Sequence, residues 1–238
     1  MAGSLFGQIE LLATGKRHIE VDTGHEAVLS LEVELGIMPA ARATYNHGYP
    51  TPDRAAMASV TAPLVQLGLP APDFTLPGVD GRNHCLSELR GHNGLLVMFI
   101  CNHCPYVKAI REALVETCRE LESYGIKSVA ISANDPAQYP EDDFEHMKAY
   151  ARAYGFGFPY LYDESQAVAR AFGAVCTPDF FGYNSELLLQ YRGRFDASGR
   201  HAAHGAQREL FEAMKQVAMM GDGPLEQKPS IGCAIKWR

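Results

Sequence analysis

The stretch FICNHCPYV, residues 99–107, constrains the fold of this chain more than any other feature. Cys101 and Cys104 stand directly after the apolar run GLLVMFI and directly before the amphipathic run that begins at Pro105. A run that is apolar on both faces predicts a buried central strand. The apolar steps of three and four that follow predict a helix. The stretch is therefore predicted to be a strand-to-helix junction that carries two thiols.

A thiol at such a junction is in a favourable place to ionise. The first N–H groups of a helix carry partial positive charge, which stabilises an anion by ~0.3–1 kcal/mol when exposed and up to ~2 kcal/mol when partly buried. We therefore expect a Cys101 thiolate to face these groups. Cys104, one turn further on, is placed to attack a mixed disulfide formed at Cys101, so the spacing favours thiol–disulfide exchange.

Half of a zinc site is the alternative reading of two cysteines at this spacing. Structural zinc takes four ligands, and the sequence contains no second CxxC pair. The histidines His201 and His204 lie in a polar stretch, RHAAHG. We therefore predict no metal here. No dissociable cofactor is expected either, because the dithiol itself serves as the redox centre.

The composition narrows the classes of partner. The 238 residues are 47% hydrophobic and 21% charged, as in ordinary globular proteins, and the net charge of -7 with no basic patch argues against nucleic acid. No apolar run approaches the roughly 20 residues that span a bilayer, so no membrane partner is expected.

We find no signal peptide and predict a cytoplasmic location. There, six cysteines are expected to be free or catalytic.

Strands and helices alternate after Leu67. Asp80-Gly81 marks a hairpin turn, Asp163 is expected to cap a short helix, and Asn184-Ser185 turns a second hairpin. The order from Leu95 is β-α-β-α-β-α-β-β-α. This order predicts an α/β fold with a mixed central sheet flanked by helices and an N-terminal β-hairpin.

The chain is predicted to divide into three segments. Residues 1–56 contain one strand-like alternation, VLSLEVEL, and then a run rich in Pro, Gly and Ala, which predicts a poorly ordered extension or a misassigned leader before a start near Met57. Residues 57–221 form the α/β domain. Residues 222–238 carry the only tryptophan, Trp237, and are expected to dock on that domain as a tail.

The remaining cysteines are less informative. Cys118 lies on the apolar stripe of the first long helix and is expected in the core. Cys176 precedes Thr177 and is expected to be either a packed residue or a neighbour of the dithiol. If the tail docks beside the dithiol, Cys233 would be a third redox thiol; a docked but inert cysteine is the alternative.

These motifs together resemble the thioredoxin superfamily. The order strand–CNHC–helix is followed by Thr177-Pro178 before a later hairpin, and LPAPDFTLPGVDGRNHCLSELRG resembles the N-terminal segment of the AhpC/TSA and TlpA-like redoxin branch. The resemblance covers roughly residues 67–221. It implies a thioredoxin-like fold, with Cys101 as the nucleophile and Cys104 as the resolving thiol.

The same resemblance implies roles for three further residues. Pro178 would be a cis-proline facing the dithiol, and Thr177 would offer backbone hydrogen bonds to a bound partner. His103 stands where protein disulfide isomerase and DsbA have the histidine of CxHC. An imidazolium there would stabilise the Cys101 thiolate and make the pair more oxidising, with a potential of roughly -180 to -240 mV.

Two positions depart from thioredoxins proper. Ile100 replaces the tryptophan before the first cysteine, and GLLVMFI contains no acid. The proton acceptor for Cys104 is therefore left open. Asp179, next to Pro178, is a weak candidate, and a solvated turn carboxylate is the favoured reading of that residue.

The predicted function is that of a thiol–disulfide oxidoreductase, which acts with a thiol reductant on protein or small-molecule disulfides. A thiol-dependent peroxidase, an antioxidant resembling peroxiredoxins, is the first alternative. Peroxiredoxins have a threonine three residues before the reactive cysteine, and Met98 stands at that position here. A copper-chaperone-like metal-binding protein is the second alternative, although such proteins use a wider C-x-x-x-C spacing. The sequence does not predict the oligomeric state.

Overall fold

The structure, a computed structural model, describes residues 9–11, 17–21, 29–33, 59–63 and 66–238. The chain divides into two compact units, Met1–Thr51 and Pro52–Arg238. The described part of the first unit is an antiparallel sheet, in the order β1-β2-β3, made of β1 (Ile9–Leu11), β2 (Arg17–Val21) and β3 (Leu29–Val33). β3 falls within VLSLEVEL; the rest of what the sequence predicts for residues 1–56 lies outside the described residues.

The second unit contains the dithiol. In chain order its elements are β4 (Ser59–Thr61), β5 (Thr75–Pro77), β6 (Asn83–Cys85), α1 (Leu86–Leu89), β7 (Gly94–Phe99), α2 (Pro105–Ser123), β8 (Ile126–Ser132), α3 (Phe144–Ala153), β9 (Tyr160–Tyr162), α4 (Ala167–Phe172), β10 (Cys176–Thr177), β11 (Asp179–Asn184), β12 (Leu189–Gly193), α5 (Glu209–Met220) and β13 (Ile231–Ala234).

A five-stranded mixed sheet forms the centre of this unit. Its order is β12-β11-β7-β8-β9; β7, β8 and β9 are parallel, whereas β11 is antiparallel to both β7 and β12. β5 and β6 form the predicted hairpin. The α/β fold with a mixed sheet and an N-terminal hairpin is therefore confirmed. None of the described helices is long and apolar enough to cross a membrane.

β7 is buried along its whole length because both faces of the sheet are covered. Successive side chains of a strand point to opposite faces. Leu96 and Met98 accordingly join the core that includes α2 and α5, whereas Val97 and Phe99 join the core that includes α1 and α4. The apolar stripe of α2 packs into the first of these cores, as its spacing predicts, and includes Cys118.

The start of α4 differs from the sequence prediction. Asp163 was expected at its cap, but α4 begins after Gln166, which adopts a left-handed conformation with φ 63°. The Gln166 side chain donates to the carbonyl oxygen of Ala133 at 2.7 Å, a tertiary contact that local sequence does not reveal. Asp163 still stabilises the helix, because its carboxylate accepts the Ala169 N–H at 2.8 Å.

The start of α3 also differs. The run EDDFEHMKAYARAYG predicts a helix with acids in its first turn. Glu141 and Asp142 instead lie in a separate 3₁₀ turn, Pro140–Asp142, and α3 begins at Phe144. Asp143 caps it by accepting the N–H of His146 at 2.8 Å. The 3₁₀ turn directs Asp142 into the interior, where it is fully buried.

A second, smaller sheet was not predicted. Its order is β10-β13-β4, so the tail strand β13 lies in the middle. β13 pairs Cys233 with Thr177 of β10 on one side and with Ser59 of β4 on the other. The tail thus contributes a strand to the same unit as the dithiol, and the Arg170 guanidinium lies 4.3 Å above the Trp237 ring. The exact boundaries at residues 57 and 221 stay predictions.

Candidate active site

The two cysteines lie at the end of β7, against the Thr177-Pro178 loop. Cys101 and Cys104 are both free and both fully buried. The Cys101 Sγ lies 3.2 Å from the Thr177 hydroxyl oxygen, and the Cys104 Sγ donates to the Thr177 carbonyl oxygen at 3.1 Å. Each thiol is also among the groups that shift the pKa of the other. The Thr177-Pro178 peptide bond is cis.

The N-terminus of α2 lies at Cys104 rather than at Cys101. Cys104 occupies the N-cap position of α2, and Pro105 is the first helical residue. The expectation that Cys101 faces the first N–H groups of the helix is therefore wrong. The backbone N–H groups of Asn102 and His103, which follow Cys101 directly, instead donate to the Asp142 carboxylate at 2.8 and 3.2 Å.

Asp142 is the buried anion of this site. Besides the two backbone donors, its carboxylate accepts hydrogen bonds from the His103 Nδ1 at 2.5 Å and from the Asn134 Nδ2 at 2.8 Å. Four donors on one carboxylate stabilise its charge in a buried setting. The sequence reasoning missed this residue; the only signal for it is its place in the acid run EDD, residues 141–143.

The His103 ring is fixed in place by its neighbours in the site. Its ring stacks on Tyr139, with centroids 4.0 Å apart and planes 7° from parallel. Its Nδ1 lies 3.7 Å from the Cys101 Sγ. The opposite nitrogen, Nε2, is buried and has no hydrogen-bond partner among the described residues. The structure thus brings His103, both cysteines, Thr177 and Pro178 into one cluster.

Local electrostatics make the two thiols unequal in acidity. Burial raises the pKa of Cys101, and the hydrogen bond to Cys104 and the nearby Asp142 carboxylate raise it further. Burial also disfavours a Cys104 thiolate, but hydrogen bonds from Cys101, Cys233 and Thr177 outweigh that effect and lower the pKa of Cys104. The two thiols thus differ in acidity, and the proton that Cys104 donates to the Thr177 carbonyl oxygen is the one that the pair loses more readily.

Asp179 does not belong to this cluster of hydrogen bonds. It is fully buried in β11 and pairs with the equally buried Arg192, whose Nη2 lies 3.1 Å from its Oδ2. The reading of Asp179 as a solvated turn carboxylate is therefore wrong. Burial raises the pKa of this carboxyl, although Arg192 counteracts the rise.

A small cavity adjoins the cis-proline. It has a volume of about 150 Å³ and is lined by Tyr106, Ile110, Pro178 and Phe180, together with Ile231 of β13. It therefore lies between the first turns of α2 and the tail strand. Because Cys101 and Cys104 have no exposed surface, a substrate that approaches through this cavity has to displace side chains to reach them.

Three groups of the site could hold a metal ion. A Cys101 sulfur, a His103 ring nitrogen and an Asp142 carboxylate oxygen all lie within 4.8 Å of one another. Zinc accepts each of these ligand types but takes four ligands in structural sites. In the described arrangement the His103 Nδ1 is hydrogen-bonded to Asp142, so a cation would have to replace the proton between them.

Comparisons with known proteins agree with the fold. The sequence profile of the AhpC/TSA family matches residues 67–197. The crystal structure of an uncharacterized conserved protein from Geobacillus kaustophilus is 41% identical, with a TM-score of 0.73; the match covers 76% of this chain and 97% of that one.

Two curated relatives share a part of their length with this chain. A chloroplastic peroxiredoxin Q from Gentiana triflora is 27% identical, over 56% of this chain and 56% of the relative. The thiol-disulfide oxidoreductase ResA from Geobacillus thermodenitrificans is 26% identical, over 49% of this chain and 63% of the relative. The chain thus spans less than two thirds of either protein. The profile match covers more than half of the chain, and it shows that the chain belongs to the AhpC/TSA family.

Proposed function

We propose that this chain is a thiol–disulfide oxidoreductase in which Cys101 and Cys104 cycle between a dithiol and a disulfide. One observation carries the proposal: the hydroxyl and the carbonyl of the same residue, Thr177, contact the two cysteine sulfurs and so hold the two thiols at one place. The name of ResA, a thiol-disulfide oxidoreductase, points in the same direction.

The first step uses Cys101 as the nucleophile. The Cys101 thiol first loses its proton to water, and the Thr177 hydroxyl beside its sulfur stabilises the thiolate. The Cys101 sulfur then attacks one sulfur of the substrate disulfide, and the substrate S–S bond breaks. One substrate thiolate leaves and the other half remains bound to Cys101 as a mixed disulfide.

The second step uses Cys104. Cys104 gives its proton to the departing substrate thiolate, and its sulfur attacks the Cys101 sulfur. The mixed disulfide breaks, the second substrate half leaves as a thiolate, and the Cys101–Cys104 disulfide forms. The protein loses two electrons and the substrate gains them. A thiol reductant then restores the dithiol by the reverse exchange. Protein or small-molecule disulfides are the substrate class, and a cytoplasmic location stays a prediction.

His103 and Asp142 act as positioning residues in this proposal. The His103 ring is fixed between Tyr139 and the Asp142 carboxylate, and it lies beside the Cys101 sulfur. The Asp142 carboxylate raises the pKa of Cys101. Together the carboxylate and the fixed ring define the polar surroundings of the Cys101 sulfur.

The test uses a pair of single-thiol variants and a protein disulfide such as insulin. Cys104→Ser should stop after the first step and accumulate a mixed disulfide at Cys101. Cys101→Ser should accumulate none, and both variants should lose turnover. Cys118→Ser, a buried cysteine on α2 away from the site, serves as the matched control and should keep its turnover. Trapping by Cys101→Ser instead of Cys104→Ser would reverse the assignment of roles.

A peroxidase is the second candidate, and one contact favours it. The threonine hydroxyl missing at residue 98 is supplied from another element, because the Thr177 hydroxyl oxygen lies 3.2 Å from the Cys101 Sγ. The name peroxiredoxin Q, carried by a relative, agrees with this reading. Hydrogen peroxide consumption with dithiothreitol tests it. A sulfenic acid at Cys101 in Cys104→Ser, together with turnover faster than insulin reduction, would make peroxide the preferred substrate.

A metal-binding role would be recognised from the metal content of the protein rather than from its catalytic turnover. The metal content of the purified protein, measured before any redox assay, should be far below one ion per chain if the dithiol is used for exchange. One tightly bound ion per chain would instead favour the copper-chaperone-like alternative.

A further inference from the structure

A third thiol adjoins the dithiol. β13 pairs Cys233 with Thr177, the residue whose carbonyl oxygen accepts the Cys104 hydrogen bond. Cys233 lies in the same buried core as Cys101 and Cys104, and it is one of the groups that shift the pKa of Cys104. Cys104 therefore has a thiol partner on two sides, Cys101 from its own loop and Cys233 from the tail.

We propose that Cys233 is a redox thiol that exchanges with the Cys101–Cys104 disulfide to form a Cys104–Cys233 disulfide. The inference rests on the proposed function, because that reaction supplies the first disulfide. It goes beyond it by assigning a chemical role to the tail strand and a second disulfide partner to Cys104.

The position of Cys233 is fixed by the backbone around it. β13 is held by β10 on one edge and β4 on the other, and Cys233 is buried, with 1% of its surface exposed. Gly232 approaches the loop so closely that an added Cβ would lie 2.1 Å from the Thr177 carbonyl oxygen. After the strand, the Ile235 N–H donates to the Val175 carbonyl at 3.0 Å. The thiol is therefore a fixed part of the site.

The exchange is balanced without any further oxidant. Cys233 loses its proton and its sulfur attacks the Cys104 sulfur, so that the Cys104–Cys233 bond forms as the Cys101–Cys104 bond breaks. Cys101 leaves as a thiolate and takes up the proton that Cys233 gave away. No electrons are gained or lost, because one disulfide replaces another.

The exchange changes which thiol is free. After it, Cys101 is again a thiol, while the oxidised state is stored between Cys104 and the tail. A reductant can then act on a disulfide that does not involve Cys101. Burial and the hydrogen bond to Cys104 raise the pKa of Cys233, so we expect the exchange to be slow near neutral pH and faster in alkali.

Peptide mapping tests the proposal on the full chain. The protein is oxidised with glutathione disulfide, quenched in acid, alkylated and digested with trypsin. Cys101 and Cys104 share the peptide 91–108, Cys233 lies in the peptide 216–236, and Cys176 lies in the peptide 171–192. We expect a disulfide that joins 91–108 to 216–236 in the wild type and its loss in Cys104→Ser. In Cys101→Ser, a mixed disulfide between Cys104 and glutathione takes the place of the Cys101–Cys104 bond that Cys233 attacks, so the crosslink should form there as well.

The outcomes separate this proposal from the proposed function. If the wild type forms only the disulfide within 91–108 and Cys233 is always alkylated, Cys233 is inert and the proposal is overturned while the proposed function stands. If the crosslink persists in Cys104→Ser but is absent in Cys101→Ser, the pairing is wrong. If neither disulfide forms, both proposals fail. The wild-type digest alone decides the first point, so it does not depend on any variant folding.

A second variant tests whether the crosslink needs the close approach of the β13 backbone to Thr177. Gly232→Val should push β13 away from Thr177 and so remove the 91–108 to 216–236 crosslink, while the disulfide within 91–108 still forms. An unchanged crosslink in Gly232→Val would contradict the fixed placement on which the proposal depends.

Discussion

Asp142 holds His103 at two points, accepting the ring Nδ1 hydrogen bond at 2.5 Å and the backbone N–H at 3.2 Å. The same carboxylate is one of the groups that raise the pKa of Cys101. One buried acid from a distant turn therefore both orients the histidine of the CNHC loop and opposes ionisation of its first thiol.

Asp142→Asn should make Cys101 ionise at lower pH. The substitution removes the negative charge beside the thiol, so the pKa of Cys101 falls. It also leaves one or more buried donors without an acceptor, at about 1–3 kcal/mol each in the free energy of unfolding. The measurement is the pH dependence of Cys101 alkylation in a Cys104→Ser background, with urea unfolding alongside.

The matched control for that experiment is Asp143→Asn. Asp143 caps α3 through His146 and is adjacent in sequence, but it makes no hydrogen bond to the CNHC loop. Its substitution should leave the alkylation midpoint of Cys101 in place. If Asp142→Asn left the midpoint unchanged as well, the carboxylate would have no electrostatic role at the dithiol.

Thr177→Val should make Cys101 less acidic. Valine keeps the shape of threonine but removes the hydroxyl that lies 3.2 Å from the Cys101 Sγ, and that hydroxyl lowers the pKa of Cys101. A hydrogen bond of about 1 kcal/mol corresponds to a roughly five-fold fall in the thiolate fraction. The alkylation rate of Cys101 at fixed pH measures the effect. Thr177→Ser, which keeps the hydroxyl, should react at nearly the wild-type rate; equal rates for Val and Ser would refute the assignment.

His103→Gln should lower the reduction potential of the dithiol. Glutamine can still donate a hydrogen bond to Asp142 but carries no positive charge. The resemblance to CxHC pairs implies an imidazolium at this position. Losing its charge would raise the pKa of Cys101, destabilise the reduced form and make the pair less oxidising. A glutathione titration should give the wild type a potential of roughly -180 to -240 mV and the variant a lower one. An unchanged potential would remove His103 from redox tuning and leave its role structural.

Arg192→Met should destabilise the fold, by about 3–5 kcal/mol at neutral pH, because it leaves the buried Asp179 charge unpaired. The sign of the pH dependence follows from the raised pKa of Asp179, which losing Arg192 raises further. Between the unfolded pKa near ~3.9 and the native pKa, only the native state keeps the proton. Stability therefore falls by about 1.4 kcal/mol per pH unit as the pH rises through that interval, and the deficit disappears in acid.

Urea unfolding at several pH values measures this dependence. The double variant Asp179→Asn, Arg192→Met contains no buried charge at this position and should recover much of the loss at neutral pH. A deficit in the single variant that stays constant from pH 4 to 8 would mean that lost packing, not the unpaired carboxylate, is the cause.

The sequence predicts the central sheet and the position of the dithiol because both depend on local pattern. The apolar run of β7, the stripe of α2 and the CNHC spacing can be read within about 25 residues. Thr177 was assigned to the site only through the family resemblance, since 73 residues separate it from Cys104. Local sequence pattern therefore predicts where β7 ends and where α2 begins.

Local sequence pattern predicts neither the place of Asp142 in the site nor the β-strand in the tail. Three consecutive acids, Glu141 to Asp143, look alike in sequence, and only the 3₁₀ turn directs the middle one inward. The apolar tail was expected to dock, but pairing with Thr177 depends on an edge that the tertiary fold creates. Asp142 and Cys233 thus reach the site through contacts between distant parts of the chain. A single sequence does not show which residues such contacts pair.

The place of β13 in the chain order has a consequence for biosynthesis. Every other element of the unit precedes it, so the five-stranded sheet and the dithiol can assemble before the strand that supplies Cys233 has been made. A nascent chain that ends before residue 231 would carry Cys101 and Cys104 without their tail neighbour.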